Sequence, residues 1–234
     1  MNPIDNFPID KFTSKSDSIL KDIPAELRQQ LEGYMVDKVY RKGQNLFVEG
    51  LYPSGIYFLK EGLVKKIKTD HTGREHILYL CTSGEILGYS ALLCHEPLPD
   101  SAMAIEDTKI GFIHKELFLK VLAESPVLMR TLLSSLSHEF GVMVNSVTVF
   151  ANMTVRERLA YTLLILSEKF KRKSPGSSGE IVLLREDLAN MVGTATETVV
   201  RLLQEMKRSG TIEMNGKSIS VVKTKELVEL SKFY

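Results

Sequence analysis

Glu197 and Arg201 stand four residues apart in ETVVR, residues 197–201, and four residues is close to one helical turn, so their side chains share a face. Two chemistries are open to such a pair. A guanidinium can donate two parallel hydrogen bonds to guanine and a carboxylate can accept one from cytosine, which would let the pair read a G·C-containing half-site. The same spacing also suits an ion pair that merely supports its own helix. Thr194, Thr196 and Val200 fall on or near the same outer face, whereas Val192, Val199, Leu202, Leu203 and Met206 recur where a helix would seat itself on its neighbours.

The elements around the pair favour base reading. A short helix is expected from about Arg185 to Met191, then a turn containing Gly193, then a second helix from about Ala195 to Lys207. So brief a joint sets the two helices at a steep angle and leaves the second free to enter a major groove. Ser209-Gly210 ends that helix, and TIEMNGKSISVV reads as a hairpin about Asn215-Gly216, with Lys217 at its tip within reach of phosphate. Helix, turn, helix and hairpin make a winged helix-turn-helix.

Upstream the pattern has a different period. Residues 1–35 read as an arm followed by a short helix near Pro24. From Val36, short alternating runs are punctuated by Gly43, Gly50, Gly55, Gly62, Gly73 and Gly84, the signature of an antiparallel barrel or sandwich with glycines at its corners. Two more strands joined at Glu106-Asp107-Thr108 complete it near residue 114. Between Ser125 and Phe150, Met129, Leu132, Leu133, Leu136, Phe140, Met143, Val144 and Val147 form the stripe of a long amphipathic helix. That stripe is wider than its own barrel needs, so pairing with a second copy is the natural cover. Thr154, with Glu157 three residues on, opens the next helix as a capping box and marks a hinge. The stretch 171–180, KRKSPGSSGE, reads as a solvated connection whose basic run is within the chemistry of phosphate contact. The fold class is α+β, in three segments: a β-roll or jelly-roll barrel with short flanking helices (1–124), a dimerisation helix (125–151) and the winged helix-turn-helix (152–234).

Charge is divided unevenly along the chain, in a way that permits phosphate contact by its second part. Residues 1–150 carry 16 Lys and Arg against 19 Asp and Glu, a net of −3, while residues 151–234 carry 14 against 10, a net of +4; together these give the chain's +1. The positive charge sits where phosphate contact is expected. Cys81 and Cys94 read as buried small side chains in a reducing compartment. The N-terminal residues hold no apolar run of signal-peptide length and no segment spans a bilayer, so the cytoplasm is expected. The histidines at 71, 76, 95, 114 and 138 lack metal-ligand spacing. Ser134, Ser135, Ser137, His138 and Glu139 are catalytic letters on a helix, without a nucleophile elbow, and no enzyme is expected.

The two halves resemble the Crp/Fnr family of bacterial transcription regulators over residues 20 to 222. ETVVR is similar to that family's recognition-helix motif, RKGQNLFVEG and GIYFLKEGLVKKI to its cyclic-nucleotide-binding-type β-roll, and SGEILGYSALL to its Gly-Glu motif. The resemblance implies that Glu197 and Arg201 contact conserved bases of a TGA-like half-site, with Thr196 beside them and Val200 against a thymine methyl. Several members place an arginine at the position of Thr196, which leaves the outer half-site preference open. Cyclic-nucleotide binders in the family use a Gly-Glu glutamate for the ribose and an Arg-Ser/Thr pair for the phosphate. Glu85 is present, but the phosphate position falls at Asp100-Ser101, with no Arg or Lys in that segment, and a carboxylate repels a phosphate. Cyclic AMP is therefore not expected. Nor is the iron–sulfur cluster of another branch, since no cysteine precedes Cys81.

No cofactor is expected. An uncharged, largely apolar small-molecule effector near Tyr79, Leu87, Tyr89 and the long helix is permitted, as is none. The expected partners are double-stranded DNA, a second copy of the chain and, as the resemblance implies for activators, RNA polymerase. A regulatory ligand-binding module whose winged domain holds another protein is the alternative.

Overall fold

The computed structural model describes residues 11–13, 19–173 and 179–232. Most of the expected N-terminal arm and positions 174–178 of the connection lie outside them. Contacts divide the described residues into two units, 19–140 and 141–232, the second including 11–13.

The first unit opens with α1 (Ala25–Gly33), which follows Pro24 directly. Its strands are β1 (Val36–Tyr40), β2 (Asn45–Phe47), β3 (Gly55–Glu61), β4 (Leu63–Thr69), β5 (Glu75–Thr82), β6 (Ile86–Leu87), β7 (Ser101–Ala104) and β8 (Thr108–His114). They form two four-stranded sheets, ordered β1-β8-β3-β6 and β2-β7-β4-β5, with antiparallel pairings. Strand β3 shows how the roll is built. Tyr57 and Leu59 join Val64, Cys81, Ala104, Ile110 and Phe112 in one core. Ile56 and Phe58 belong to a second core with Ile113 and the helical residues Phe118, Val121, Leu122, Leu128 and Leu132. Covered on both faces, β3 is buried at five successive positions instead of every other one.

Gly43, Gly50, Gly62, Gly73 and Gly84 take positive φ at the corners, but Gly55 does not. It begins β3, where a Cβ would stand 2.1 Å from the Ile113 carbonyl oxygen and 2.7 Å from the Phe112 ring. Close approach of β3 to β8 explains this glycine, not a turn.

Three helices complete the run: α2 (Tyr89–Cys94), α3 (Lys115–Glu124) and α4 (Pro126–Asn152). Helix α4 has proline in its first turn, and the Ser125 hydroxyl accepts from the Leu128 amide at 3.2 Å as its cap. The expected apolar stripe is in fact two. Leu132 is wholly buried with Leu128 in the core of the roll, and is corrected from the expected partner-facing set; Leu136 is half-buried, packed in part against the same core. Met129, Leu133, Phe140, Met143, Val144 and Val147 are exposed.

The second unit contains the end of α4, then α5 (Val155–Lys173), β9 (Ile181–Val182), α6 (Arg185–Val192), α7 (Thr196–Arg208), β10 (Ile212–Asn215), β11 (Ser218–Val221) and α8 (Thr224–Ser231). The capping box forms: the Thr154 amide donates to Glu157 at 2.7 Å, and the Glu157 amide approaches the Thr154 hydroxyl at 3.4 Å. Asn215 pairs with Ser218, so the hairpin loop is Gly216-Lys217 and not Asn215-Gly216. A glycine at φ 56° in the first loop position supplies the conformation the tight turn requires. Strand β9 adds a third strand beside β11, and α8 packs on α5. Among the described residues no helix is long and apolar enough to cross a membrane.

Candidate nucleic-acid interface

The turn between α6 and α7 is built around Gly193, which caps α6 at φ 71° and donates its amide to the Ala189 carbonyl at 2.9 Å. An L side chain is strained there. Arg158 of α5 fixes the turn from beneath, donating to the carbonyls of Val192 at 2.8 Å and Met153 at 2.9 Å. Burial lowers its pKa from the usual value, but an arginine remains charged, and a cation at the C-terminal carbonyls of α6 is favourable.

Helix α7 sits on Val199, Leu202, Leu203 and Met206, all buried, as is Val192 at the end of α6. Fixing one face this way determines the other. Glu197, Val200 and Arg201 are exposed, while Thr194 in the turn and Thr196 at the helix start are half-buried. Lys217 is exposed at the tip of the wing. The wing is anchored by Arg185, whose guanidinium donates to the carbonyls of Gly216 and Lys217, each at 3.1 Å.

Glu197 and Arg201 do not pair with each other. Arg201 Nη1 donates to Glu205 Oε1 at 2.8 Å, and the other oxygen of Glu205 lies 3.8 Å from Arg156 Nη1 at the start of α5. Glu197 forms no ion pair among the described residues. Arg156, Arg158, Arg185 and Glu205 were outside the residues expected from sequence to shape this face. Glu205 alone carried a local signal, its spacing of four from Arg201.

The residues expected to line an effector site are divided by the fold. Tyr79 on β5 donates its hydroxyl to Glu85 at 2.7 Å, and the other Glu85 oxygen accepts from the Thr82 amide at 2.8 Å and hydroxyl at 3.0 Å. Leu87 lies in the core between the sheets, whereas Tyr89 lies in the core beneath the helices, 3.2 Å from the Ser135 hydroxyl of α4. Leu87 and Tyr89 thus do not share one wall, because β6 ends at Leu87 and Gly88, at φ 84°, turns the chain into α2, which carries Tyr89 into the other core. Desolvation, then the nearby Glu139, raises the pKa of Tyr89, which keeps it a neutral hydrogen-bonding group. The Ser101 hydroxyl accepts from the Glu49 amide at 2.9 Å. Asp100 is buried, and Lys66 of β4 reaches it at 2.9 Å. The segment holds no cation of its own, but the neighbouring strand supplies one. Burial opposes the charge on Lys66, but attraction and a hydrogen bond to Asp100, together with the nearby Cys81 and Glu139, outweigh it, so the ammonium pKa is raised. Among the described residues no group of three or more His, Cys, Asp or Glu is placed to hold a metal ion.

Two family models match this chain in succession: a cyclic nucleotide-binding domain over residues 37–125 and a Crp-like helix-turn-helix domain over residues 157–230. Curated relatives include an anaerobic regulatory protein of Aggregatibacter actinomycetemcomitans, 26% identical over 83% of this chain and 76% of its own. The fumarate and nitrate reduction regulatory protein of Vibrio cholerae is 27% identical over 83% and 78%. The cyclic AMP receptor protein of Thermus thermophilus is 26% identical over 85% and 89%. Among solved structures, FixK2 from Bradyrhizobium japonicum superposes with a TM-score of 0.74 at 21% identity, over 84% of this chain and 96% of its own. The roll, the recognition helix and the two matched domains in this order make the chain a member of the Crp/Fnr family of bacterial transcription regulators.

Proposed function

We propose that the protein acts as a homodimer on a palindrome of TGA-like half-sites, with Arg201 donating to guanine, Glu197 accepting from cytosine, Val200 against a thymine methyl, and Thr194, Thr196 and Lys217 at flanking base or phosphate positions. The observation that carries this reading is the seating of α7. Its apolar side is buried, so Glu197, Val200 and Arg201 are presented together, at the positions where a recognition helix meets base edges. Two-fold symmetry sets the half-sites about one DNA turn apart. The exposed residues of α4, from Met129 to Val147, pair with those of the second copy.

Transcription is activated through contact with RNA polymerase, and the protein works in the cytoplasm, in keeping with its free cysteines. The effector, where there is one, is not cyclic AMP. Glu85 is committed at both oxygens to Tyr79 and Thr82, and Lys66, the cation that reaches Asp100, is already paired with it, which supports the exclusion of a cyclic phosphate there.

The reading is tested by selecting bound duplexes from a randomised pool. Enrichment of a two-fold symmetric motif with TGA-like arms is expected. A pool that stays random, with the protein instead retaining another polypeptide through its winged domain, would overturn it.

A further inference from the structure

An anionic side chain beside a base-reading arginine needs a reason, since it repels the phosphates that supply much of the affinity. Glu205 is half-buried, one turn beyond Arg201, and each of its oxygens faces a different arginine: Arg201 at 2.8 Å and Arg156 at 3.8 Å. The three groups carry a net charge of +1, so the face remains attractive to DNA. The contact uses one terminal nitrogen of Arg201. Its Nε and second terminal nitrogen, which together form one bidentate edge of the planar guanidinium, have no partner among the described residues.

We infer that Glu205 is a specificity-determining positioning residue, a buttress that holds the Arg201 guanidinium so that its remaining bidentate edge is presented to guanine. This rests on the reading that Arg201 contacts guanine. An arginine on a flexible stem can satisfy itself on any phosphate, and fixing its terminal group removes that freedom before binding. Arg156, anchored at the start of α5, restrains the buttress from the far side. The cost is electrostatic: the carboxylate weakens contact with DNA of any sequence. Glu205 therefore has two effects of opposite sign, lowering general affinity and raising discrimination, and a residue that merely stabilised α7 would not separate them.

The test uses the full chain and its Glu205→Gln, Arg201→Ala and doubly substituted variants. Each is titrated against the palindrome, the same palindrome with the half-site G·C pair replaced by A·T, and an unrelated duplex. Thermal melts confirm that the near-isosteric glutamine variant folds. Glu205→Gln is expected to bind the unrelated duplex about threefold more tightly while losing a large part of a G·C preference of about tenfold per half-site. It should lose nothing further in the Arg201→Ala background. Arg156→Gln should give a smaller loss of the same kind. A Glu205→Gln variant with undiminished G·C preference, while Arg201→Ala abolishes that preference, would overturn the buttress and leave the base-reading role of Arg201 intact. Equal losses from Glu205→Gln with and without Arg201 would also overturn it. A preference that survives Arg201→Ala would remove the base-reading role and the buttress together.

Discussion

At the scale of single residues, Glu157 ties the start of α5 to the end of the described chain: it accepts from the Thr154 amide at 2.7 Å and from Lys232 at 2.6 Å. Lys232 first, and Thr154 after it, hold the carboxyl down at about 2 against an ordinary value of 4.5. Because the folded value is the lower one, the ionised form favours the fold. Its contribution is complete above the ordinary carboxylate range and is lost as pH falls from there through the folded value near 2. In melts followed by circular dichroism between pH 2 and 5, the Glu157→Gln variant should show a flatter dependence of Tm than the unsubstituted protein; parallel curves would remove the role of this contact. Thr154 and Glu157 were legible as a pair because a capping box is written in three-residue spacing. The partner of Arg201 was not. Glu197, on its N-terminal side, is the better-oriented local choice, yet Arg201 takes Glu205, which also has Arg156 of another helix beside it. No local rule contains that third group.

At the scale of elements, period and punctuation revealed the long helix, the two-helix reader, the hairpin and most of the roll. What they concealed follows from how each element is covered. Strand β3 is buried on both faces and so loses the alternation that marks a half-exposed strand. The stripe on α4 held two faces of one helix that a run of apolar letters cannot separate, because Leu128, Leu132 and Leu136 advance alongside Met129 and Leu133. The wing shows a different limit. Its hairpin was readable from Gly216, but the brace from Arg185 joins residues about thirty positions apart in sequence. That brace yields a prediction at this scale. Arg185→Ala should free the wing tip and weaken binding to all duplexes while leaving the ranking among half-sites unchanged, as measured by anisotropy on several sequences. A change in ranking would mean that Arg185 bears on α7 itself.

At the scale of the whole molecule, the exposed apolar face of α4 is the feature one chain does not explain. Phe140 is 71% exposed, Leu133 63% and Val147 62%, and burying a side chain of this kind stabilises by roughly 1.5–3 kcal/mol. On the proposed reading a second copy covers this face, and Phe140→Asp should shift the protein to monomer in sedimentation equilibrium, with loss of palindrome binding; a dimer of undiminished stability would place the interface elsewhere. The order of a roll followed by a helix-turn-helix was legible from the two motifs, whereas the partner of Asp100 was not, since Lys66 meets it only through the pairing of β4 with β7. The claim on which the rest depends is that α7 reads sequence through Arg201. Fluorescence anisotropy at about 150 mM salt, with a TGA-type palindrome and a scrambled duplex, measures it directly. The account predicts a preference of about a thousandfold or more for the palindrome, largely abolished by Arg201→Ala. Equal affinity for the two duplexes, or a preference untouched by that substitution, would contradict it.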